Sequence, residues 1–239
     1  MILPPFLAGL DIGQVSDPTA LCILERHVVQ SGEVVYQDYQ CRHLERFALG
    51  TPYPSMAEQL SAYLRRLPKP AAWQEDVRRV MARNASMSRI QTPLFVLIID
   101  GTGVGRPVVD MFTRLAMSPI TVIITGGNQI SSPVLNEWHV PKSTLVGAFQ
   151  VALQTRRWKA PRQMPEAATL VKEMQNFRYK ISASGNDTYE AWRENQHDDL
   201  VLAASLATWY GEHTAPPPPR PFKPMPTAPH LQGRSRTGV

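Results

Sequence analysis

Four acidic residues stand where carboxylates can do metal chemistry. Asp11 closes an apolar run at residues 6–12, and Asp100 closes the most apolar run of the chain, Leu94-Phe95-Val96-Leu97-Ile98-Ile99. Asp198 and Asp199 open an apolar helical pattern, His197-Asp198-Asp199-Leu200-Val201-Leu202-Ala203-Ala204. Carboxylates at strand ends and at a helix start can converge on one edge of a sheet, where α/β proteins commonly bind substrates. Converging carboxylates repel unless a cation neutralises them, and hard oxygen donors with little histidine or thiolate suit Mg2+ or Mn2+. Two such ions about 3.5–4 Å apart can stabilise both the attacking and the leaving oxygen of phosphodiester hydrolysis. Taken singly, each residue has an ordinary role. An aspartate after a strand is a common turn residue. Acids in a first helical turn complement the macrodipole, here with Asn195 available as the cap. The weight lies in the combination: every position is flanked by core-forming sequence, and the three sites occur in a plausible order.

The elements needed to position these acids can be read from hydrophobic pattern. Residues 6–12, 19–29 and 34–47 read as three strands joined by short turns, hence an antiparallel meander. Residues 54–67 carry Met56, Leu60, Tyr63, Leu64 and Leu67 at helical spacing, and 73–85 form a more basic, less amphipathic segment. The run 94–99 shows no alternation, as in a strand covered on both faces. A glycine-rich turn follows at 101–105, and Pro107 suits the start of the next helix. Residues 119–125 give another buried strand, and 142–157, 165–177 and 196–210 are helical. Residues 178–182 and 188–192 are expected to pair as a hairpin across Ser184-Gly185-Asn186-Asp187. The order predicts an α/β fold: a ribonuclease H-like mixed sheet, an antiparallel three-strand meander plus parallel strands, with helices on both faces.

With those elements in place, the chain resembles the nuclease domain of phage terminase large subunits. The likeness is carried by Gly9-Leu10-Asp11-Ile12-Gly13 with Asp17-Pro18-Thr19-Ala20-Leu21, by Ile99-Asp100-Gly101-Thr102-Gly103-Val104-Gly105, by Pro141-Lys142 with Leu145, and by His197-Asp198-Asp199-Leu200-Val201 with Ala203. It spans roughly residues 6–210. The resemblance implies a metal-dependent endonuclease that cuts double-stranded phage DNA during genome packaging and leaves 5′-phosphate and 3′-hydroxyl ends. Asp11, Asp100, Asp198 and Asp199 would be its catalytic metal ligands for two Mg2+ or Mn2+ ions, with Asp199 favoured within the pair. His197, Asp17 and Lys142 are possible accessory residues: a ligand- or water-orienting histidine, a family position in the Asp-Pro turn, and a phosphate contact. Arg106, Arg156, Arg157, Lys159 and Arg162 are weaker candidates for DNA backbone contacts, since a solvated face fits any single one of them better.

One departure from the family is large. A full terminase large subunit carries an ATPase motor, yet no G-x-x-x-x-G-K-[ST] loop occurs here. The chain is expected to be either an excised nuclease domain or a separately encoded nuclease, and Met1 and the tail lean towards the second. The implied partners are double-stranded DNA, a separate packaging ATPase, a small terminase subunit and a portal.

Composition sets the bounds. The formal net charge is +5, but Arg220, Lys223, Arg234 and Arg236 follow the last acid, Glu212, and without these four about +1 remains. Charge alone therefore does not identify a nucleic-acid binder. Residues 1–214 are expected to form the nuclease domain. Residues 215–239, with four consecutive prolines at 216–219, are expected to be a disordered, proline-rich basic tail suited to a spacer or a docking segment. No apolar run approaches the roughly 20 residues of a membrane span. Cys22 and Cys41 fit structural thiols in a reducing, cytoplasmic compartment, the host cytoplasm if the chain is phage or prophage encoded. Rival readings are a Holliday-junction-resolvase-like nuclease, an actin-like or sugar-kinase ATPase with phosphate-gripping turns at Asp11 and Asp100, and a catalytically inert DNA-binding packaging adaptor.

Overall fold

The computed structural model describes residues 2–13, 17–32, 34–83, 93–103, 105–184 and 197–214, leaving aside the side chains of 105, 106 and 178–184. Strands β1 (Phe6–Asp11), β2 (Ala20–Ser31) and β3 (Val34–Arg46) form the antiparallel meander. On its other side β1 pairs in parallel with β4 (Phe95–Asp100), which pairs in parallel with β5 (Ile120–Thr125). The order β3-β2-β1-β4-β5 is the ribonuclease H-like mixed sheet that the sequence predicts. Three short strands extend it beyond that expectation. The pair β6 (Ser131–Val134) and β7 (Glu137–Pro141) adds to β5, and β8 (Trp158–Lys159) adds in parallel to β3.

Helices cover both faces. Helices α1 (Tyr53–Arg65) and α3 (Gly105–Arg114) pack Met56, Leu60, Leu64, Val108 and Phe112 against Phe6, Ala8, Leu10, Leu97 and Ile99. Helices α4 (Lys142–Gln154), α5 (Ala167–Ser184) and α6 (Asp199–His213) pack Phe149, Phe177 and Leu206 on the other face, against Leu7, Cys22 and Ile98. The basic segment forms α2 (Ala71–Arg83), largely exposed. Among the described residues no helix is long and apolar enough to cross a membrane.

The period of two along a strand decides where the acids face. Leu7 of β1 and Ile98 of β4 lie on the α6 face, whereas Leu10 and Ile99 lie on the α1–α3 face. Counting on in steps of two puts Asp11 and Asp100 on the α6 face as well. Helix α6 has no polar stripe; it is buried at nearly every position from Asp199 to Gly211, as a helix enclosed on all sides must be. It sits directly on β1. A Cβ built at Gly9 would lie 2.0 Å from the carbonyl oxygen of Ala203, a backbone atom that cannot swing aside.

Two expectations are corrected. Residues 178–182 are not a hairpin arm but the last turns of α5, which keeps its helical period through Leu170, Met174 and Phe177 and meets no breaker before Gly185. The helix expected to start at 196 begins at Asp199, so the capping position belongs to Asp198 rather than Asn195. Asn195, the second arm at 188–192 and the tail at 215–239 lie outside the described residues.

Gly9→Ala is expected to cost about 2–3 kcal/mol in urea unfolding, because the added methyl must displace backbone. Gly147→Ala, in α4 with nothing within 4 Å of the new Cβ, is expected to gain up to about 1 kcal/mol from helix propensity. Equal effects of the two substitutions would contradict the close seating of α6 on β1.

Candidate active site

One row across the sheet sets the site. Leu10 of β1 pairs with Ile99 of β4, so Asp11 and Asp100 stand side by side at the ends of adjacent parallel strands. Asp11 is opposite Ala20 on β2, and Ala20 is opposite Arg46 on β3. Asp100, Asp11, Ala20 and Arg46 thus occupy successive strands at one level, with a small residue separating the acids from the guanidinium. Asp11 is buried, and the strand register sets it beside Asp100. Asp100 Oδ1 also accepts the Thr102 N–H at 2.8 Å.

The α6 start brings the second pair of acids to this row. Asp198 Oδ2 accepts a hydrogen bond from Lys142 Nζ at 2.8 Å. Lys142 is the first residue of α4, where the helix dipole disfavours a cation, so its pairing across to α6 supplies the compensation. Asp199 is buried, with its Oδ2 3.4 Å from Arg46 Nη2 and 3.7 Å from His197 Nδ1. His197 Nδ1 lies 4.0 Å from Asp17 Oδ1. All seven residues predicted as ligands or accessory groups therefore connect to one cluster.

Sequence reasoning missed two members. Glu173 of α5 is buried, accepts the Val201 N–H at 3.1 Å through Oε2, and accepts a hydrogen bond from Arg46 Nη2 through Oε1. Arg46 ends β3 at the same sheet edge as Asp11. That placement was legible in the meander; the contact to Glu173, 127 residues away, was not.

The charges strain against one another. Burial chiefly, and then Asp100, Asp199 and Asp198, push the Asp11 carboxyl well above its usual range, with Lys142 opposing. Burial raises Asp100 too, against hydrogen bonding from Thr102, the neighbouring Asp11 carboxyl and the charge of Lys142. Burial lifts Asp199 to about 6 and Glu173 to about 7, in both cases against the pull of Arg46. Among the described residues, no three acidic, histidine or cysteine side chains close around a point as a bound ion would require. Asp198 is drawn to Lys142 and Asp199 to Arg46 instead. The donor chemistry nevertheless fits a hard divalent cation: every candidate ligand is a carboxylate, and Asp199 Oδ2 is buried without a hydrogen-bond partner.

The predicted DNA-contact residues are dispersed. Arg157 is engaged internally, pairing with Glu212 at 2.7 Å and donating to the Gln37 carbonyl at 3.0 Å. Lys159 pairs with Asp38 at 2.9 Å, and Arg156 and Arg162 are exposed. Arg106 falls in α3, outside the described side chains. Two surface cavities of about 410 and 660 Å³ flank the β6–β7 hairpin, lined in part by Trp138 and Tyr210 and by Gly101 and Asp110. None of the four candidate aspartates lines either.

Sheet order and edge carboxylates together define an α/β chain of ribonuclease H-like type with an acidic centre at the ends of β1 and β4. No protein-family model matches the chain, and no curated protein matches it. Among solved structures it is similar to the large terminase nuclease of the thermophilic phage G20c (13% identity, 84% of this chain and 80% of that one, TM-score 0.44). It is also similar to the manganese-soaked terminase nuclease domain of human cytomegalovirus (12% identity, 85% and 81%, TM-score 0.44). A third similar structure is RuvC of Thermus thermophilus (10% identity, 87% and 96%, TM-score 0.32).

The raised carboxyls make metal-free stability depend on pH with a definite sign. Asp199 and Glu173 hold their protons more tightly folded, at about 6 and about 7, than at the ordinary 3.8 and 4.5. Their contribution is complete below about pH 4 and is lost as pH rises towards 7. Thermal melts in EDTA are expected to fall between pH 5 and 8 at their own pH-dependent rate, and Glu173→Gln is expected to flatten that decline. A wild-type decline that Glu173→Gln leaves unaltered would rule out this assignment.

Proposed function

We propose that the chain is a divalent-cation-dependent endonuclease that cleaves double-stranded DNA, acting in phage genome packaging with a motor ATPase, a small terminase subunit and a portal. The observation that carries this reading is the meeting of Asp11 and Asp100, side by side on adjacent strand ends, with the Asp198–Asp199 pair at the α6 start. The ordered motifs that resemble terminase nucleases run through these same residues.

Asp11, Asp100 and Asp199 would hold Mg2+ or Mn2+, two ions in the full reading, with Asp198 as a further ligand. Such ions polarise a phosphodiester, lower the pKa of water and neutralise the charge that develops on the leaving oxygen. The chain's own residues supply position. Thr102 N–H fixes one oxygen of Asp100, and the seat of α6 on Gly9 sets the height of Asp199 over the strand ends. Lys142 Nζ, bonded to Asp198 Oδ2 at 2.8 Å, sets a positive charge beside the carboxylates that suits a phosphate oxygen. His197, half exposed between Asp17 and Asp199, can orient a water at that rim.

Plasmid DNA incubated with Mg2+ or Mn2+ is expected to be cut, and EDTA to stop the cutting. Asp100→Ala and Asp199→Asn are each expected to lower the rate at least about a hundredfold, the loss of about 3 kcal/mol of transition-state stabilisation. A four-way junction in a parallel reaction separates the resolvase reading: preferential cutting of the junction would replace the packaging role. Cleavage that survives both Asp100→Ala and EDTA would overturn the metal-dependent mechanism.

A further inference from the structure

Two facts at Arg46 point the same way. Its hold on Glu173 is tight, a direct hydrogen bond to Oε1, and Glu173 is itself pinned by the Val201 N–H two residues beyond Asp199. Its hold on Asp199 is loose: Nη2 stands 3.4 Å from Oδ2, and that oxygen makes no hydrogen bond although the side chain is only 8% exposed. The Arg46 Nε is likewise buried without a partner. A buried carboxylate oxygen left without a hydrogen bond is destabilising. It is therefore a group with something to gain from a new ligand.

We infer that Arg46 is a resident counter-cation, anchored by Glu173, that neutralises Asp199 until a divalent ion takes that carboxylate, and so sets the affinity of the centre for the ion. The inference rests on reading the centre as a divalent-cation site. It explains why the α6 acids face Arg46 and Lys142 instead of enclosing a point with Asp11 and Asp100. Because Arg46 keeps a firm partner in Glu173, Asp199 can change partners without releasing an unpaired guanidinium into the core. Arg46 acts through Asp199 and is a positioning residue, not a catalytic one.

A counter-cation has an unusual signature, because removing it helps the ion and harms the empty protein. Mn2+ is titrated by calorimetry into the full-length wild type, Arg46→Met and Glu173→Gln, and each is melted in EDTA and in saturating Mn2+. Arg46→Met is expected to bind Mn2+ about 5–10-fold more tightly, to melt lower than wild type in EDTA, and to gain more from Mn2+. Glu173→Gln frees Arg46 to pair fully with Asp199 and is expected to weaken Mn2+ binding by a similar factor. A merely structural Arg46 predicts weaker binding in Arg46→Met, and that result, or unchanged affinity, overturns the inference. Should Arg46→Met not fold, Glu173→Gln decides alone: weaker binding upholds the inference, and equal or tighter binding overturns it. Wild type that binds no Mn2+ removes the divalent centre and this inference together, whereas wild-type binding untouched by either substitution removes the inference only.

Discussion

The backbone of α6 lies against the backbone of β1, and the rest of the site depends on that contact. Only a residue without a Cβ admits the Ala203 carbonyl so close to the strand at Gly9. With the helix seated there, its axis crosses the central strand of the sheet, and its first turn reaches the strand ends where Asp11 and Asp100 stand. The burial of α6 follows from the same contact. A helix pressed onto the middle of a sheet and covered by α4 and α5 has no wet face, so Leu200 to Ala207 carry almost no polar side chain. The polar exceptions are local: Ser205 and Thr208 are buried, and Thr208 returns its hydroxyl to the Ala204 carbonyl one turn back.

Seating α6 there creates an electrostatic problem that the neighbouring elements solve. Two like charges 4 Å apart repel by about 4 kcal/mol at an effective dielectric of 20, and this cluster gathers Asp11, Asp100, Asp198, Asp199 and Glu173. Three separate devices offset the repulsion. Burial raises both the Asp11 and the Asp100 carboxyls and so favours their neutral forms. Lys142 enters from α4 to Asp198, and Arg46 enters from β3 to Glu173 and Asp199. Each device belongs to a different element, so the charge balance also ties β3, α4, α5 and α6 to the central strands. The arrangement is suited to cation exchange: protons and basic side chains occupy the positions that divalent charge would otherwise neutralise.

Much of this was legible in the sequence. Strand ends announce themselves when an apolar run stops at a single charge, and both Asp11 and Asp100 do so. The meander was legible because its turns are short, and α6 because an apolar helical pattern follows an acidic pair. The edge strands were not. β8 has two residues, and β6 is a polar, exposed stretch whose pattern carries no signal of burial. The hairpin arm expected at 178–182 is helix because the local strand preference of Tyr179 and Ile181 yields to the helix already running from Ala167. Arg46 and Glu173 escaped for a different reason. Each alone reads as a surface charge, and only the sheet register and the packing of α5 bring them together. Arg157 is the converse: one of a basic pair that suggested DNA contact, it is spent on Glu212, which also accepts the Tyr39 hydroxyl at 2.7 Å.

The turn after β4 separates two chemistries that share its sequence. A glycine-rich turn behind a strand-ending aspartate suits a phosphate-gripping loop, in which consecutive backbone N–H groups point outward at a nucleotide. Here the first of those groups are already engaged. Gly101 N–H donates to the Val122 carbonyl at 2.9 Å, and Thr102 N–H donates to Asp100 itself at 2.8 Å. The Thr102 hydroxyl then takes the Ile124 N–H at 2.8 Å, stitching the turn to β5. Gly101 is required by packing: a Cβ there would meet the Thr121 methyl at 2.6 Å. These bonds aim the turn inward, so that it holds the Asp100 carboxylate still instead of cradling an anion. A turn that fixes a carboxylate in this way fits the proposed cation chemistry, and its Gly101 and Thr102 amides are not available to grip a nucleotide.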